Sequence, residues 1–256
     1  MSFLDDLAGG VGSLLGGSGI GSALARTALT GLALRQISKS INNDTATSQP
    51  DPGVRLQSPA DPEKSIPVVY GTAVTSGILT DAVLSADNLT MYFCFTICEK
   101  TGLTDLGSGA ASEFGFNAVY WNDAKLFFDP ADGVTVKYSE DRNGNKDTNI
   151  DGLIQVYCYA GNRSTPTAVR GYTVPTLLDG ATADEIMPNW TLNHNMTDLI
   201  FAIVKMKYNK EKGVTSVGNF RFQIENSMKA AGDCLYDYLT NTRYGAGLNP
   251  AEIYVS

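Results

Sequence analysis

Histidine is nearly absent from this chain of 256 residues, which contains a single one, His194. Most catalytic dyads and catalytic metal sites use histidine, so the composition argues against hydrolytic and metal-dependent enzymes. His194 lies between two asparagines, in a segment that lacks the sharp turn presenting a catalytic serine. We therefore expect no catalytic residue, no cofactor and no metal, and we interpret His194 as a surface or hydrogen-bonded side chain.

Charged residues are also few, at 18% of the chain, and 27 acidic residues face 19 basic ones. The net charge of −8 argues against a protein that binds nucleic acid by neutralising phosphates. The hydrophobic fraction of 43% is that of a globular protein. Most of the chain is therefore expected to fold around a core.

The four cysteines, Cys94, Cys98, Cys158 and Cys234, have the right number for a metal site but the wrong spacing. Cys94 and Cys98 fall on one predicted strand, where residues four apart stand about 13 Å from each other. Metal ligands lie about 2.3 Å from a shared ion. We predict buried free thiols.

The first 49 residues differ from the rest of the chain. No charged residue occurs from Leu7 to Ala25, and seven glycines lie between Gly9 and Gly21. We predict that residues 1–49 form a Gly-rich, apolar and helical arm that packs between subunits, and that residues 50–64 form an extended linker. The alternative is insertion into a membrane, which the glycines disfavour because each weakens a helix by about 1 kcal/mol.

Residues 65–225 show the period-two alternation of β-strands. The predicted strands cover residues 89–98, a hairpin at 116–128 around Asn122 and Asp123, a pair at 134–138 and 153–159, a central strand at 199–208, and residues 219–225. We therefore predict an α+β fold that is rich in β-structure and has few short helices.

Two helices are predicted. Thr182 and Glu185 form a capping box, and the helix that they begin should end at Pro188. The second helix should begin near Asn226 or Ser227, within a segment of residues 226–256, and end at Gly245. It carries an apolar stripe at helical spacing, formed by Met228, Ala231, Leu235 and Tyr238.

One loop has the oxygen-rich composition of a calcium site. Asp141, Asn143, Asn145 and Asp147 alternate along it, and calcium takes six to eight oxygen ligands. An EF-hand register would need glycine and glutamate where the chain has Lys146 and Gly152. Asn and Asp are also typical of tight turns, so we interpret the loop first as a turn and keep calcium as the alternative.

Three segments together resemble a known family. They are residues 65–71 (SIPVVYG), residues 118–123 (AVYWND) and residues 226–248, which end in LTNTRYGAGL. The same order and similar motifs occur in the central tail-tip or baseplate-hub proteins of tailed bacteriophages, also called host-specificity or tip-attachment proteins. The motif residues are Pro67, Tyr70, Gly71, Tyr236, Leu239, Arg243, Tyr244, Gly245 and Gly247.

The resemblance implies a hub-type β-barrel or sheet fold, and a structural virion protein at the distal end of the tail. It implies a homotrimer that connects the tail tube and distal ring to the receptor-binding or puncturing parts. The distal tail protein, the tube and the tape-measure protein would be its neighbours. Family members continue well past the motif at residues 226–248. The resemblance therefore implies either a second hub polypeptide that carries the further domains or a hub that lacks them.

Physical arguments agree with this interpretation. An acidic conduit lets DNA pass without sticking, because like charges repel. The arm suits an inter-subunit contact. Two rival functions remain open, a membrane-active tail module whose N-terminus inserts into the host envelope during ejection, and a wall-degrading hydrolase with an Asp/Glu pair.

Overall fold

The computed structural model describes residues 65–102, 113–161, 163–175, 182–191, 193, 194 and 196–253. The predicted arm and linker, residues 1–64, lie outside the described residues. Within the described residues, the strands are β1 (Thr72–Thr75), β2 (Ile78–Leu84), β3 (Thr90–Glu99), β4 (Phe114–Trp121), β5 (Ala124–Phe128), β6 (Val136–Glu140), β7 (Lys146–Asp147), β8 (Ile154–Ala160), β9 (Leu199–Lys207) and β10 (Phe220–Asn226). Helix α1 spans Ala183–Ile186, helix α2 spans Ala231–Thr240, and a 3₁₀ turn spans Pro250–Glu252.

The strands form two antiparallel sheets. The larger sheet has the order β1-β10-β4-β5-β6-β7, and the smaller one has the order β2-β3-β9-β8. Strand β9 lies between β3 and β8, which confirms the predicted central strand. The β-rich α+β class is likewise confirmed, whereas a closed hub-type barrel stays a prediction.

The main core lies between the two sheets. Strand β10 alternates as predicted, and Phe220, Phe222 and Ile224 are buried. The ring of Phe95 on β3 lies 5.7 Å from that of Phe220 and 5.9 Å from that of Phe222. Because each strand contributes alternate side chains to this layer, the period-two pattern of the sequence translates directly into the core.

The smaller sheet is buried on its second face as well. There Tyr159 and Phe201 stack with their ring centroids 4.6 Å apart, and Ala183 and Met187 cover the same cluster. Burial on both faces explains why β9 is almost continuously apolar. Helix α1 supplies this cover in a single turn.

Local signals placed several elements correctly. Glu185 accepts a hydrogen bond from the Thr182 backbone N–H at 3.1 Å, so the predicted capping box is present, and α1 ends before Pro188. Asn122 and Asp123 adopt φ values of 48° and 68°, which form the predicted turn between β4 and β5.

The predicted pairing of residues 134–138 with 153–159 is wrong. Strand β6 pairs with β5 and β7 in the larger sheet, while β8 pairs with β9 in the smaller one. The two segments meet only where the sheets approach each other, through a bridge between Thr135 and Gln155 and a 2.9 Å hydrogen bond from Val156 N to Val134 O.

The cysteines are free thiols, as predicted. Burial raises the pKa of the Cys94 and Cys98 thiols to about 12, and that of Cys158 further. Cys234 departs from the prediction because it is only half-buried, on a helix that has no buried residue.

Candidate functional site

The first and last of the three resembling segments fold against each other. Gly71 N donates to Met228 O at 2.9 Å, and Asn226 N donates to Gly71 O at 2.7 Å. These bonds extend the pairing of β1 with β10. Gly71 has φ +66°, a conformation that side chains disfavour, so its identity has a backbone reason.

Asn226 fixes this meeting point from inside. Its side chain is fully buried, and its amide nitrogen donates to Val69 O at 2.8 Å and to Thr101 Oγ1 at 2.6 Å. Its amide oxygen accepts from Met228 N at 3.0 Å. One side chain thus connects three separate stretches of the chain.

Two tyrosines converge on one carboxylate beside this point. Tyr70 donates to Asp237 Oδ2 at 2.6 Å, and Tyr244 donates to the same oxygen at 2.7 Å. The Tyr244 hydroxyl also accepts from Gly102 N at 3.0 Å. Burial, followed for Tyr70 by the bond to Asp237, raises the pKa of both phenols, so they stay protonated donors.

An ion-pair network completes the junction, the name we use for Tyr70, Glu99, Asp237, Arg243 and Tyr244. Arg243 Nε lies 2.9 Å from Glu99 Oε2, and its Nη1 lies 3.6 Å from Asp198 Oδ2. Burial raises the pKa of the Glu99 carboxyl even though Arg243 favours its charged form. Glu99 N in turn donates to Pro67 O at 2.9 Å, which ties the first motif to the network.

Of the predicted motif residues, Tyr70, Arg243 and Tyr244 belong to the junction, and Pro67 and Gly71 form backbone hydrogen bonds next to it. Tyr236 and Leu239 contribute their carbonyl oxygens, which accept from Thr240 Oγ1 at 2.8 Å and Leu248 N at 2.8 Å. The sequence did not single out Asn226, Asp237 or Glu99. Asp237 could have been noticed because it is a charged residue within a predicted apolar helix. Glu99 could not, because a single glutamate at the end of a strand forms no recognisable pattern.

Helix α2 is shorter than predicted at both ends. Residues 226–230 do not begin the helix, because Asn226 belongs to β10 and its side chain bonds Met228 N. The helix stops at Thr240, because Asn241 caps it and accepts from Arg243 N at 2.9 Å. Gly245 and Gly247 lie beyond that end, in the turn that returns Leu248 to the helix.

The outer face of α2 is apolar and uncharged. We use this name for Ala231, Gly232, Leu235, Tyr238 and Leu239, which share one side of the helix at i, i+4 and i+7 spacing. Leu235 is 59% exposed and Tyr238 47%, and the adjoining Leu248 is 43% exposed. The acidic Asp237 points the other way, into the junction. The predicted stripe therefore faces away from the core of this chain, with only Met228 buried.

Gly245 lies where the neighbouring backbone leaves no room for a side chain. A Cβ there would overlap the Tyr238 carbonyl oxygen and come within 2.8 Å of Asn241 O, both backbone atoms. We expect Gly245→Ala to lower the free energy of unfolding by about 2 kcal/mol. Gly232→Ala is the control, because its Cβ would meet nothing within 4 Å. That variant should stabilise by up to about 1 kcal/mol in urea denaturation, and equal losses in both variants would contradict the assignment.

Glu225 makes the stability of the protein depend on pH. Its carboxylate pairs with Lys229 and Arg170 and accepts from Asn117, interactions that lower its pKa from 4.5 to about 2. The folded state therefore binds fewer protons, so the stabilisation is complete above pH 4.5 and is lost as the pH falls toward 2. Urea denaturation at a series of pH values should show that the free energy of unfolding of the wild type exceeds that of Glu225→Gln above pH 4.5, and that this difference disappears as the pH falls toward 2. A constant difference between the two proteins would contradict the assignment.

The candidate calcium loop is arranged as a turn. Asp141 Oδ1 accepts from Asn143 N and Asn145 N, each at 2.8 Å, and Oδ2 accepts from the Asn145 side chain at 2.9 Å. These bonds lower the pKa of Asp141. Asp147 accepts from Asn149 N at 2.9 Å. Across the described residues, no group of three or more His, Cys, Asp or Glu side chains could hold a metal ion.

His194 stacks on Trp190, with ring centroids 5.4 Å apart, and its Nδ1 accepts from Thr191 N at 2.9 Å. The prediction of a hydrogen-bonded histidine is confirmed. Trp190 in turn donates to Asp81 Oδ2 at 2.6 Å, which fastens this segment over the smaller sheet.

Among the described segments, no helix is both long and apolar enough to span a membrane. Comparisons with known proteins give no further lead: no family model matches the chain, and a search of curated proteins finds no match.

Proposed function

We propose that this chain is a non-enzymatic structural component of a bacteriophage tail tip or baseplate hub. It works as a homotrimer at the distal end of the tail, where it connects the tube and distal ring to the receptor-binding or puncturing parts. It also lines part of the DNA conduit. Its partners are the distal tail protein, the tube and the tape-measure protein.

The observation that carries the proposal is the orientation of helix α2, whose apolar side faces away from the body. An amphipathic helix in an isolated domain turns its apolar side inward and its charges outward. Here the charged Asp237 and the polar network face the body, and Leu235 and Tyr238 face outward. Such a helix is expected where a subunit presents an interface, because exposed contiguous apolar surface marks association.

The junction supports a mechanical role for the same element. Tyr70, Arg243 and Tyr244 attach α2 through hydrogen bonds and ion pairs, since the helix has no buried residue of its own. These directional contacts fix the orientation of the outer face on the β-rich body. A fixed orientation is what a symmetric assembly requires of its subunits.

The junction also fits a structural role better than a hydrolytic one. Glu99 and Asp198 both lie beside Arg243, and burial raises the pKa of Glu99, as in a glycosidase acid. The guanidinium of Arg243 stands between these carboxylates, at 2.9 Å and 3.6 Å, in the space that a glycosidic bond would need. The arrangement thus resembles a bridge between two segments.

Quantitative mass spectrometry of purified phage particles tests this proposal. We expect the chain in particles, at a copy number equal to that of other tail-end proteins and far below that of the tube protein. Its absence from particles that are complete and infectious would overturn the proposal.

A further inference from the structure

Two short turns meet at one end of the smaller sheet. The turn between β2 and β3 is closed by a bond from Ser85 N to Thr90 O at 2.8 Å. The turn after β9 is closed by reciprocal bonds between Asn209 and Val214, at 2.8 Å and 2.9 Å. Tyr208 N donates to Leu89 O at 2.8 Å and joins the two turns. This end, which we call the hairpin tip, is therefore a fixed element.

The hairpin tip exposes large apolar side chains. Leu84 is 43% exposed, and Leu89 and Tyr208 are each 49% exposed. They lie on turns and strand ends, so they project outward.

Lysines surround these apolar residues. Lys207, Lys210 and Lys212 are exposed, and none of them forms an ion pair with any residue that the structure describes. The acids at the tip are Glu211 and Asp87, whose pKa is lowered mainly by the Ser85 hydrogen bond and least by Lys207. Asp151 lies two residues from Leu153, whose carbonyl accepts from Lys207 N at 2.8 Å, but it is paired with Lys137. Three lysines against Asp87 and Glu211 give the tip a net charge of +1, on a chain whose net charge is −8.

From this combination we infer that the hairpin tip docks on an anionic lipid surface. Leu84 and Leu89 enter the boundary between headgroups and acyl chains, and Tyr208 sits at headgroup level with its hydroxyl in water. The three lysines extend their ammonium groups to the lipid phosphates. The inference is independent of the proposed hub role, because it uses a different part of the surface.

The overall negative charge does not prevent this contact. The acidic junction residue Glu99 lies at the far end of β3, about 30 Å from Thr90 at the tip. Charges further apart than about 8 Å are largely screened at physiological ionic strength. The membrane therefore senses mainly the charges of the tip itself, where the three lysines outnumber Asp87 and Glu211.

Vesicle partitioning of the full chain tests the inference. Vesicles of phosphatidylcholine alone are compared with vesicles that also contain phosphatidylglycerol, with and without competing inorganic phosphate. Each lysine near an anionic surface contributes about fivefold to binding. We expect binding only to the anionic vesicles, unaffected by phosphate, and a loss of at least about 30-fold in the variant Lys207→Glu/Lys210→Glu/Lys212→Glu.

Two further variants separate the apolar and the charge contributions. Leu84→Ser/Leu89→Ser should lower partitioning about tenfold. About half of each leucine side chain is exposed in the folded protein, and the double variant removes the gain from burying that exposed apolar area in the membrane. The control Lys125→Glu/Arg142→Glu/Lys146→Glu makes the same change in net charge on the larger sheet, and it should bind as wild type does. Circular dichroism verifies that all variants are folded.

Four results would overturn the inference. They are no binding of wild type to anionic vesicles, undiminished binding by the tip variants, an equal loss in the charge control, or displacement by inorganic phosphate. Undiminished binding would assign lipid affinity to another part of the chain. Capture of an acidic protein by the tip, with no vesicle binding, would assign the tip to a protein partner.

Discussion

Leu235→Lys is expected to prevent self-association of the full chain while leaving each monomer folded. Among the described residues, Leu235 is the most exposed large apolar side chain, and it lies at the centre of the outer face of α2. Lysine has nearly the helix propensity of leucine, so the helix should persist. In an assembled hub the change would bury an unpaired charge. An unpaired charge buried in an interface costs about 2 kcal/mol or more, so association should weaken at least about 30-fold.

Sedimentation velocity and light scattering over a concentration series measure this effect. The matched control is Leu89→Lys, because Leu89 is also about half exposed but lies at the opposite end of β3 from the junction. The control should assemble as wild type does. Equal assembly by wild type and Leu235→Lys would show that the outer face of α2 is no subunit interface.

Asn226→Ala is expected to lower the free energy of unfolding by about 3 kcal/mol. The substitution removes three hydrogen bonds, to Val69 O, Thr101 Oγ1 and Met228 N, in a fully buried position. Each lost bond costs about 1 kcal/mol, and a buried group left without a partner adds more. The first and last motif segments should separate before the rest of the body unfolds.

Urea denaturation and hydrogen exchange measure the two parts of this prediction. Asn117→Ala serves as the control, because Asn117 donates a single hydrogen bond, at 3.2 Å, to the half-exposed Glu225. That control should lose less than about 1 kcal/mol. If the two variants were equally stable, Asn226 would not hold the junction together.

Local chemistry was readable from the sequence. The capping box of Thr182 and Glu185, the turn at Asn122 and Asp123 and the alternation of β10 each depend on a few neighbouring residues. These features need no knowledge of distant contacts. The β-rich class followed from them.

Long-range pairing was not readable in the same way. A period of two shows that β6 and β8 are strands but does not name their partners, and the structure places them in different sheets. Likewise, a period of 3.6 places Leu235 and Tyr238 on one side of a helix without saying what covers that side. The second helix was predicted to begin near Asn226 or Ser227, whereas the Asn226 side chain forms hydrogen bonds inside the body.

Electron cryomicroscopy of the intact tail end tests the hub assignment most directly. We predict density for this chain at the distal end of the tube, in three copies around the tail axis, with the outer face of each α2 buried against a neighbouring subunit or tail protein. Density for the body elsewhere in the particle, or with Leu235 and Tyr238 facing solvent in every copy, would contradict the account.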